Sequence, residues 1–558
     1  MTTNVGQVQI EKLKKILEEN ANSEYLKEYM KGNIDVETFK QCVPLVTHKD
    51  LEHYIQRMVD GDTSSVLTGK PITHFSTSSG TSQGKPKFVP FNDGLLDTTM
   101  QVYRTSFAYR DREFTIIGKG KALNFVYGSK PFTTKGGLIA GSATTHVFRN
   151  PLYTLTMKSM QSQNCSPNEV IFGSDYHQSL YCHLLCGLLN YNEVQFVSST
   201  FAHSVVQAFE TFEHVWHDLC TDIRDGVLNE RITDLNIRAV MGDILKPDPE
   251  LADMIEGICS GLSEWNGLIP KLFPNVKYVY AIFTGSMEPY LPQMRRYTGG
   301  RVPLVCADYG ASEGWIAVNC DPRSPPESAA FTVHPGIGYY EFLPLKEAHD
   351  EDLESKLLGL AELKMGEEYE VIMTNVGGLY RYRLGDVVKV TGFHNATPKL
   401  KFVRRLNLVL NINVDKITEE DIHLAIEEAS KLLVSEKVNI VDFTTCVDSS
   451  KDIENYVICW ELSGDVNEDI LQECCHILDR AFCRDHGYLS SRKTKTIGPL
   501  ELRILSKGTI QKIVLNSLNL GIAMNQFKLP RCIGANSKAI LEILDTNIGK
   551  SYFSTLYD

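Results

Sequence analysis

Residues 75–91 read FSTSSGTSQGKPKFVPF: small hydroxyl side chains, two glycines and two lysines, then an apolar run. Hydroxyls, ammonium groups and backbone N–H groups all donate, and glycine lets the chain approach closely, so the stretch suits a phosphate. It is not the G-x-x-x-x-G-K-[ST] loop. Only three residues separate Gly80 from Gly84, and Pro86 follows Lys85 where a metal-binding hydroxyl belongs. A plain polar hairpin is the bland alternative for this stretch alone. Two further segments break from apolar strands into polar groups: VPLVCADYGASEGW at 302–315 and GLYRYRLGDVVKVTGF at 378–393.

Taken together, these segments resemble three landmarks of adenylate-forming enzymes. SSGTSQGKPK (78–87) resembles their hydroxyl-rich phosphate loop with one residue added. Tyr309-Gly-Ala-Ser-Glu313 resembles their Y-G-x-[ST]-E motif, and Gly385-Asp386 their [ST]-G-D motif. LKFVRRLNLVLNINVDKITEEDI (400–422) matches the basic hinge that leads into a mobile C-terminal domain. The strings SSGTSQGKPKF, TGSMEPY, DYGASEGW, GLYRYRLGDVV, RNPLY, SSRKTKTIGPLELR and SYFST resemble the plant acyl acid–amido synthetases, the auxin-responsive Gretchen-Hagen family. The resemblance runs from about residue 10 to the C-terminus. DYGASEGW and YFST resemble its jasmonate-conjugating branch.

That resemblance implies a two-step ligase. A carboxylate attacks the α-phosphate of ATP, releasing pyrophosphate; an amino acid amine then attacks the acyl-adenylate, releasing AMP and an amide. Adenylation turns a poor electrophile into one with a good leaving group, and Mg²⁺ screens the anions that must meet. Carried onto this chain, the resemblance implies that Ser76, Ser79, Thr81, Thr99, Gly141, Gly310, Ala311, Ser312, Gly314 and Trp315 line the nucleotide. Glu313 faces Mg²⁺ and Asp386 holds the ribose. Lys528 takes the α-phosphate during adenylation, and Lys416 is its alternate after domain rotation. The acyl acid meets Ser79, Thr99, Tyr103, Ala307, Asp308, Tyr309, Gly310 and Trp315. The amino acid meets Thr144, Thr145, His146, Val147 and Phe148, and the run Glu501, Leu502, Arg503, Ile504 and Leu505. The expected acid is jasmonate and the expected amine isoleucine or another apolar amino acid. A benzoate, an indole acid or a hydroxylated jasmonate, coenzyme A as acceptor, and a non-enzymatic nucleotide-gated binder are the alternatives. Thr77, His146 and Ala307 depart from residues common in relatives (Leu, Asn and His). Those departures bear on the choice of acid and amine, not on the reaction.

The elements that must carry these residues alternate. KALNFVYGS, EVQFVSSTFA and VKYVYAIFTGS read as buried strands ending in small residues, with helices such as HQSLYCHLLCGLL and SVVQAFETFEHVWHDLCTDI between them. This is α/β patterning. Residues 9–32 carry helical periodicity. Beyond about 330 the pattern becomes antiparallel strands and hairpins. The capping-box-like Thr418-Glu-Glu-Asp421 then opens a compact α+β unit. The expected architecture is a luciferase-like adenylate-forming one. It has a large N-terminal α/β domain with a β-barrel part (1–405), a hinge (406–415) and a smaller mobile α+β domain (416–558).

Composition limits the partners. The chain has 558 residues, 43% hydrophobic and 22% charged, with net charge −13. Such a balance opposes a nucleic-acid or polybasic membrane role. No apolar run reaches membrane-span length and no signal-peptide core opens the chain. The 14 cysteines form no C-x-x-C pair. Cys182-His183-x-x-Cys186 and Cys474-Cys475-His476 lie in apolar helical surroundings and read as core thiols rather than metal ligands. A cytosolic monomer acting on small molecules is the expectation.

Overall fold

A computed structural model of the chain describes residues 1–82, 85–117, 120–128, 131–151, 155, 163–345, 356–406, 409–412, 415–451, 453–519, 527–534 and 537–557. Within them a five-stranded parallel sheet forms the α/β part. Its order is Gln163–Asn164, Lys121–Phe125, Val194–Phe201, Tyr278–Ile282 and Leu304–Cys306. The strand Val194–Phe201 is buried almost throughout, as a strand covered on both faces must be. The helices Tyr176–Leu189 and Ala202–Asp225 pack against each other, and the second lies against this strand.

The expected helix over 9–32 is two helices, Val5–Asn20 and Glu24–Met30. Ser23 breaks the run: its hydroxyl accepts from Leu26 N at 3.3 Å and caps a new helix. The apolar periodicity spans the break because both pieces bury one face in the same core.

The antiparallel region after 330 is an eight-stranded sheet. It starts at the Tyr309–Ala311 and Gly314–Val318 hairpin and passes through Phe331–Val333, Thr397–Arg405, Tyr382–His394, Glu368–Thr374 and Tyr339–Pro344 to Leu358–Gly359. A four-stranded sheet (Lys85–Phe91, His74–Ser82, Ile139–Ser142, Phe132–Thr133) carries the hydroxyl-rich stretch between its first two strands.

Toward the C-terminus, LVLNINVDKI forms the hairpin Val409–Ile412 and Asp415–Thr418. Thr418 and Asp421 form the full capping box of helix Glu419–Ser430. A mixed five-stranded sheet follows: Cys532–Ile533, Ile440–Asp448, Asn455–Leu462, Glu501–Leu505 and Ile548–Phe553. Its strand Asn455–Leu462 alternates between two cores. Tyr456, Ile458, Trp460 and Leu462 face a second apolar cluster with helices Glu419–Ser430 and Glu468–Phe482, while Val457 and Cys459 join the main one.

Cys182, Cys186, Cys474 and Cys475 are buried core thiols. His183 has both ring nitrogens engaged, one with Ser166 Oγ (2.7 Å) and one with Val126 O (3.0 Å). Cys474 and Cys475 point at backbone carbonyls. Among the described residues no His/Cys/Asp/Glu group has metal-site geometry, and no helix is long and apolar enough to cross a membrane.

Candidate active site

Strand register creates the first half of the site. In the hairpin Tyr382–His394/Thr397–Arg405, Asp386 lies opposite Arg405. Gly385, just before it, holds φ +74°, a left-handed turn that a side chain would strain. Arg405 Nε donates to Asp386 Oδ1 at 2.8 Å, and Tyr309 OH donates to Oδ2 at 3.0 Å. Asp386 is almost completely buried. A carboxylate has about four acceptor sites, so each oxygen retains capacity after these bonds.

Lys528 reaches the same place from the far end of the chain. Its ammonium lies 4.6 Å from the Phe201 ring centroid. Burial, with Arg405 nearby, lowers its pKa to about 8, although Asp386 and Glu419 oppose the shift. The segment is stitched down: Thr445 N donates to Arg531 O at 2.9 Å, and the Thr444 hydroxyl donates to Pro530 O. Arg531 forms a buried ion pair with Asp442 and donates to Ser286 O at 2.9 Å; the Tyr290 hydroxyl also donates to Asp442. Tyr309, Asp386, Arg404, Arg405 and Lys528 line one cavity of about 510 Å³.

A second cavity, about 210 Å³, lies beside it and is mainly apolar. The helix Asp93–Glu113 runs along it, presenting Leu95, Thr99, Tyr103, Phe107 and Arg110 on one stripe, as 3.6-residue periodicity requires. Trp315 Nε1 donates to Thr99 Oγ1 at 3.2 Å, and Tyr103 meets the Trp315 ring edge-on at 5.6 Å. Thr144, Val147 and Phe148 of helix Ala143–Arg149 line another wall. Ile282, Ala307 and Asp308 belong to both cavities, so the two meet at the end of the parallel sheet. Asp308 accepts from Tyr280 OH (3.0 Å) and Asn319 N (2.9 Å), which fixes the turn there.

The remaining expected residues divide. Gly310, Ala311, Ser312, Glu313, Gly314 and Trp315 sit at the junction hairpin, and Tyr382 OH donates to Glu313 Oε1 at 3.1 Å. Ser76 Oγ is buried without a partner among the described residues, and Ser76 pairs with Gly141 across parallel strands. Ser79 and Thr81 lie on the strand His74–Ser82, with their side chains outside the described residues. The Lys416 side chain is likewise outside them; its backbone pairs with Asn411. His146 stacks on His74 at 3.8 Å, and burial lowers its pKa to about 4, so it is neutral near pH 7. Thr145 is buried and bonds within the helix cap to Ser142. The run 501–505 is not brought to either cavity. It is a strand of the C-terminal sheet, where Arg503 pairs with Asp448, Glu501 and Asp545. Sequence reasoning missed Phe107, Arg110, Phe196 and Tyr280 of the apolar cavity, and the Tyr290–Asp442–Arg531 cluster. No local pattern marks them: Phe107 and Arg110 share one helix, and the others come singly from separate elements.

Three domain models of one family match the chain in order: the GH3 family N-terminal domain at 1–304, central domain at 331–405 and C-terminal domain at 420–537. The chain belongs to the GH3 family. Relatives within it match along the whole length. The Nicotiana attenuata jasmonoyl-L-amino acid synthetase JAR4 is 57% identical over 558 residues, 100% of this chain and 96% of its own. The Oryza sativa subsp. japonica jasmonoyl-L-amino acid synthetase GH3.5 is 57% identical over 567 residues, 100% of this chain and 97% of its own. The solved AtGH3.15 acyl acid amido synthetase in complex with 2,4-DB matches with TM-score 0.90 at 34% identity, over 99% of this chain and 95% of that one. The GH3 fold of this chain is also the adenylate-forming fold. A 2-hydroxyisobutyryl-CoA ligase in the postadenylation state matches it with TM-score 0.51 at 11% identity, over 96% of this chain and 91% of that one.

Proposed function

We propose that this chain adenylates jasmonate with ATP and transfers the acyl group to an apolar amino acid such as isoleucine. Membership of the family makes it an amide-forming ligase. The observation that carries the acid is the 57% identity, end to end, with jasmonoyl-L-amino acid synthetases of two plants.

The geometry supports a division of labour. The 510 Å³ cavity suits the nucleotide. Asp386 keeps acceptor capacity for ribose hydroxyls, and the buried Lys528 ammonium has no carboxylate partner among the described residues, so a phosphate oxygen satisfies it. Mg²⁺ is held mostly by phosphate oxygens and water, with one or two carboxylates, and Glu313 is a carboxylate at the right junction. When bound, the ion screens charge between the two substrates. Ser79 and Thr81 donate to phosphate from the hairpin. The apolar cavity takes the acid, with Trp315 and Tyr103 as walls and the carboxylate at Ala307. Thr144, Val147 and Phe148 border both acid and amine. Residues 1–405 form the substrate-binding domain, and 416–558 rotate about 406–415 to exchange Lys528 for Lys416.

The test is direct. Purified protein with Mg-ATP is given jasmonate, benzoate or indole-3-acetate, then either amino acids or coenzyme A, and AMP release is followed. Jasmonate with isoleucine should give the highest kcat/KM. A preference for benzoate or indole-3-acetate, or for coenzyme A as acceptor, defeats the proposal.

A further inference from the structure

About three turns beyond Thr99, the cavity-lining stripe of helix Asp93–Glu113 ends on a cation, Arg110. It is only 3% exposed. Its guanidinium carbon lies 3.8 Å from the centroid of the Tyr280 ring and 4.3 Å from that of Phe107. Its Nε is buried and meets no acceptor among the described residues. Among the described residues no carboxylate lies within ion-pair distance of it. The acid whose charge acts on it is Asp308, whose two oxygens accept from Tyr280 OH and Asn319 N rather than from the guanidinium. The Tyr278 hydroxyl takes one hydrogen bond from the guanidinium, and the hydroxyls of Tyr280 and Tyr103 complete its polar surroundings, which leaves donors of the fork unused.

A buried guanidinium is always charged and carries five donors in a rigid fork. Aromatic faces partly compensate the charge, but they do not satisfy the N–H groups. What remains open to Arg110 is the cavity itself, whose other walls there are Ala122 and Phe196. The opposite end of the stripe, at Thr99, is bonded to Trp315 of the hairpin whose Tyr309 and Gly310 line the nucleotide cavity. A guest with its carboxylate at that hairpin presents its far end to Arg110. Asp308 beside the guanidinium makes a second carboxylate a worse guest than a neutral oxygen.

We propose that Arg110 is a specificity-determining residue that donates a hydrogen bond to a carbonyl or hydroxyl oxygen carried by the acyl acid remote from its carboxylate. This rests on reading the apolar cavity as the acyl site. Jasmonate offers such an oxygen in its ring ketone; a hydroxyl at the end of the pentenyl arm is the other source of the same chemistry.

Pyrophosphate release by the full-length protein tests it with two matched pairs: jasmonate against its analogue with the ketone replaced by methylene, and arm-hydroxylated jasmonate against jasmonate. Wild type should favour the oxygenated member of at least one pair about tenfold or more in kcat/KM, as a charge-assisted bond predicts. In Arg110→Met that ratio should fall to within about threefold of unity, while the oxygen-free member loses little. The pair that collapses identifies which oxygen is read. Ratios near unity in wild type for both pairs overturn the proposal, as does a ratio undiminished in Arg110→Met. If that variant does not fold, Arg110→Gln is read in the same way. Val147→Trp, which fills the cavity from another helix, separates the two readings. If it leaves kcat/KM unchanged for every acid, the cavity is not the acyl site and both readings fall. If it lowers kcat/KM but the Arg110 ratios stay flat, only the role of Arg110 falls.

Discussion

If Lys528 takes the α-phosphate as proposed, its protonation sets the rate. Its ammonium must be charged to draw a phosphate oxygen, yet burial lowers its pKa to about 8. As pH rises through 8, the free enzyme loses that charge, so kcat/KM for ATP in the adenylation step should fall along an alkaline limb near 8. Bound nucleotide is anionic and favours the protonated form, so the limb in kcat should lie at higher pH. Lys528→Arg, always protonated, should abolish the limb even if its rate is lower. A pH profile of pyrophosphate release decides it; an unchanged limb in the arginine variant assigns the titration to another group. At this scale the sequence was half legible. Glu313 and Asp386 stand in runs of turn-forming residues whose order is itself informative. Arg110 in FAYRDREF looks like any solvated helical arginine, because nothing local records which face the core will cover.

The junction hairpin works by what it leaves out. A Cβ on Gly310 would lie 2.7 Å from the Trp315 ring, so no side chain fits there unless the indole moves. That indole is bonded to Thr99 and packed on Tyr103. Gly310→Ala should therefore push Trp315 toward the acid and raise KM for jasmonate about tenfold or more, with a smaller change in KM for ATP. Steady-state kinetics against both substrates checks it; equal changes in both KM values point to general distortion of the hairpin. The hairpin and the capping box at Thr418 could be read in advance, because tight turns demand particular residues within a few positions. The apolar cavity could not. Its walls come from a helix at 93–113, another at 143–149, three parallel strands and the stretch 307–315, and only the fold makes them neighbours.

Across the molecule, the segment bearing Lys528 is fastened on two sides. It is stitched to strand Ile440–Asp448, and Arg531 and Asp442 reach across to Ser286 and Tyr290 near the end of the parallel sheet. This cluster fastens the segment from which Lys528 lines the larger cavity, the one proposed for the nucleotide. Tyr290→Phe removes one buried bond to a charged acceptor, of roughly 1.5–3 kcal/mol. The adenylation rate should drop about tenfold, while transfer from a supplied acyl-adenylate is retained. Comparing the two half-reactions in one preparation decides it: equal losses make the cluster a simple stability element. Such long-range pairs, 152 and 89 residues apart in sequence, leave no trace that pattern reading detects.

With the proposed occupants, the wall of Ile282, Ala307 and Asp308 shared by both cavities makes acid and nucleotide thermodynamic neighbours. Two anions converging on one wall oppose each other when no dication stands between them, and such coupling is reciprocal. Titration calorimetry with a non-hydrolysable ATP analogue should find, in EDTA, that each ligand weakens the other by the same factor. Adding Mg²⁺ should remove the antagonism. The enzyme would then sense free Mg²⁺ through its affinity for the hormone acid, without any separate regulatory site.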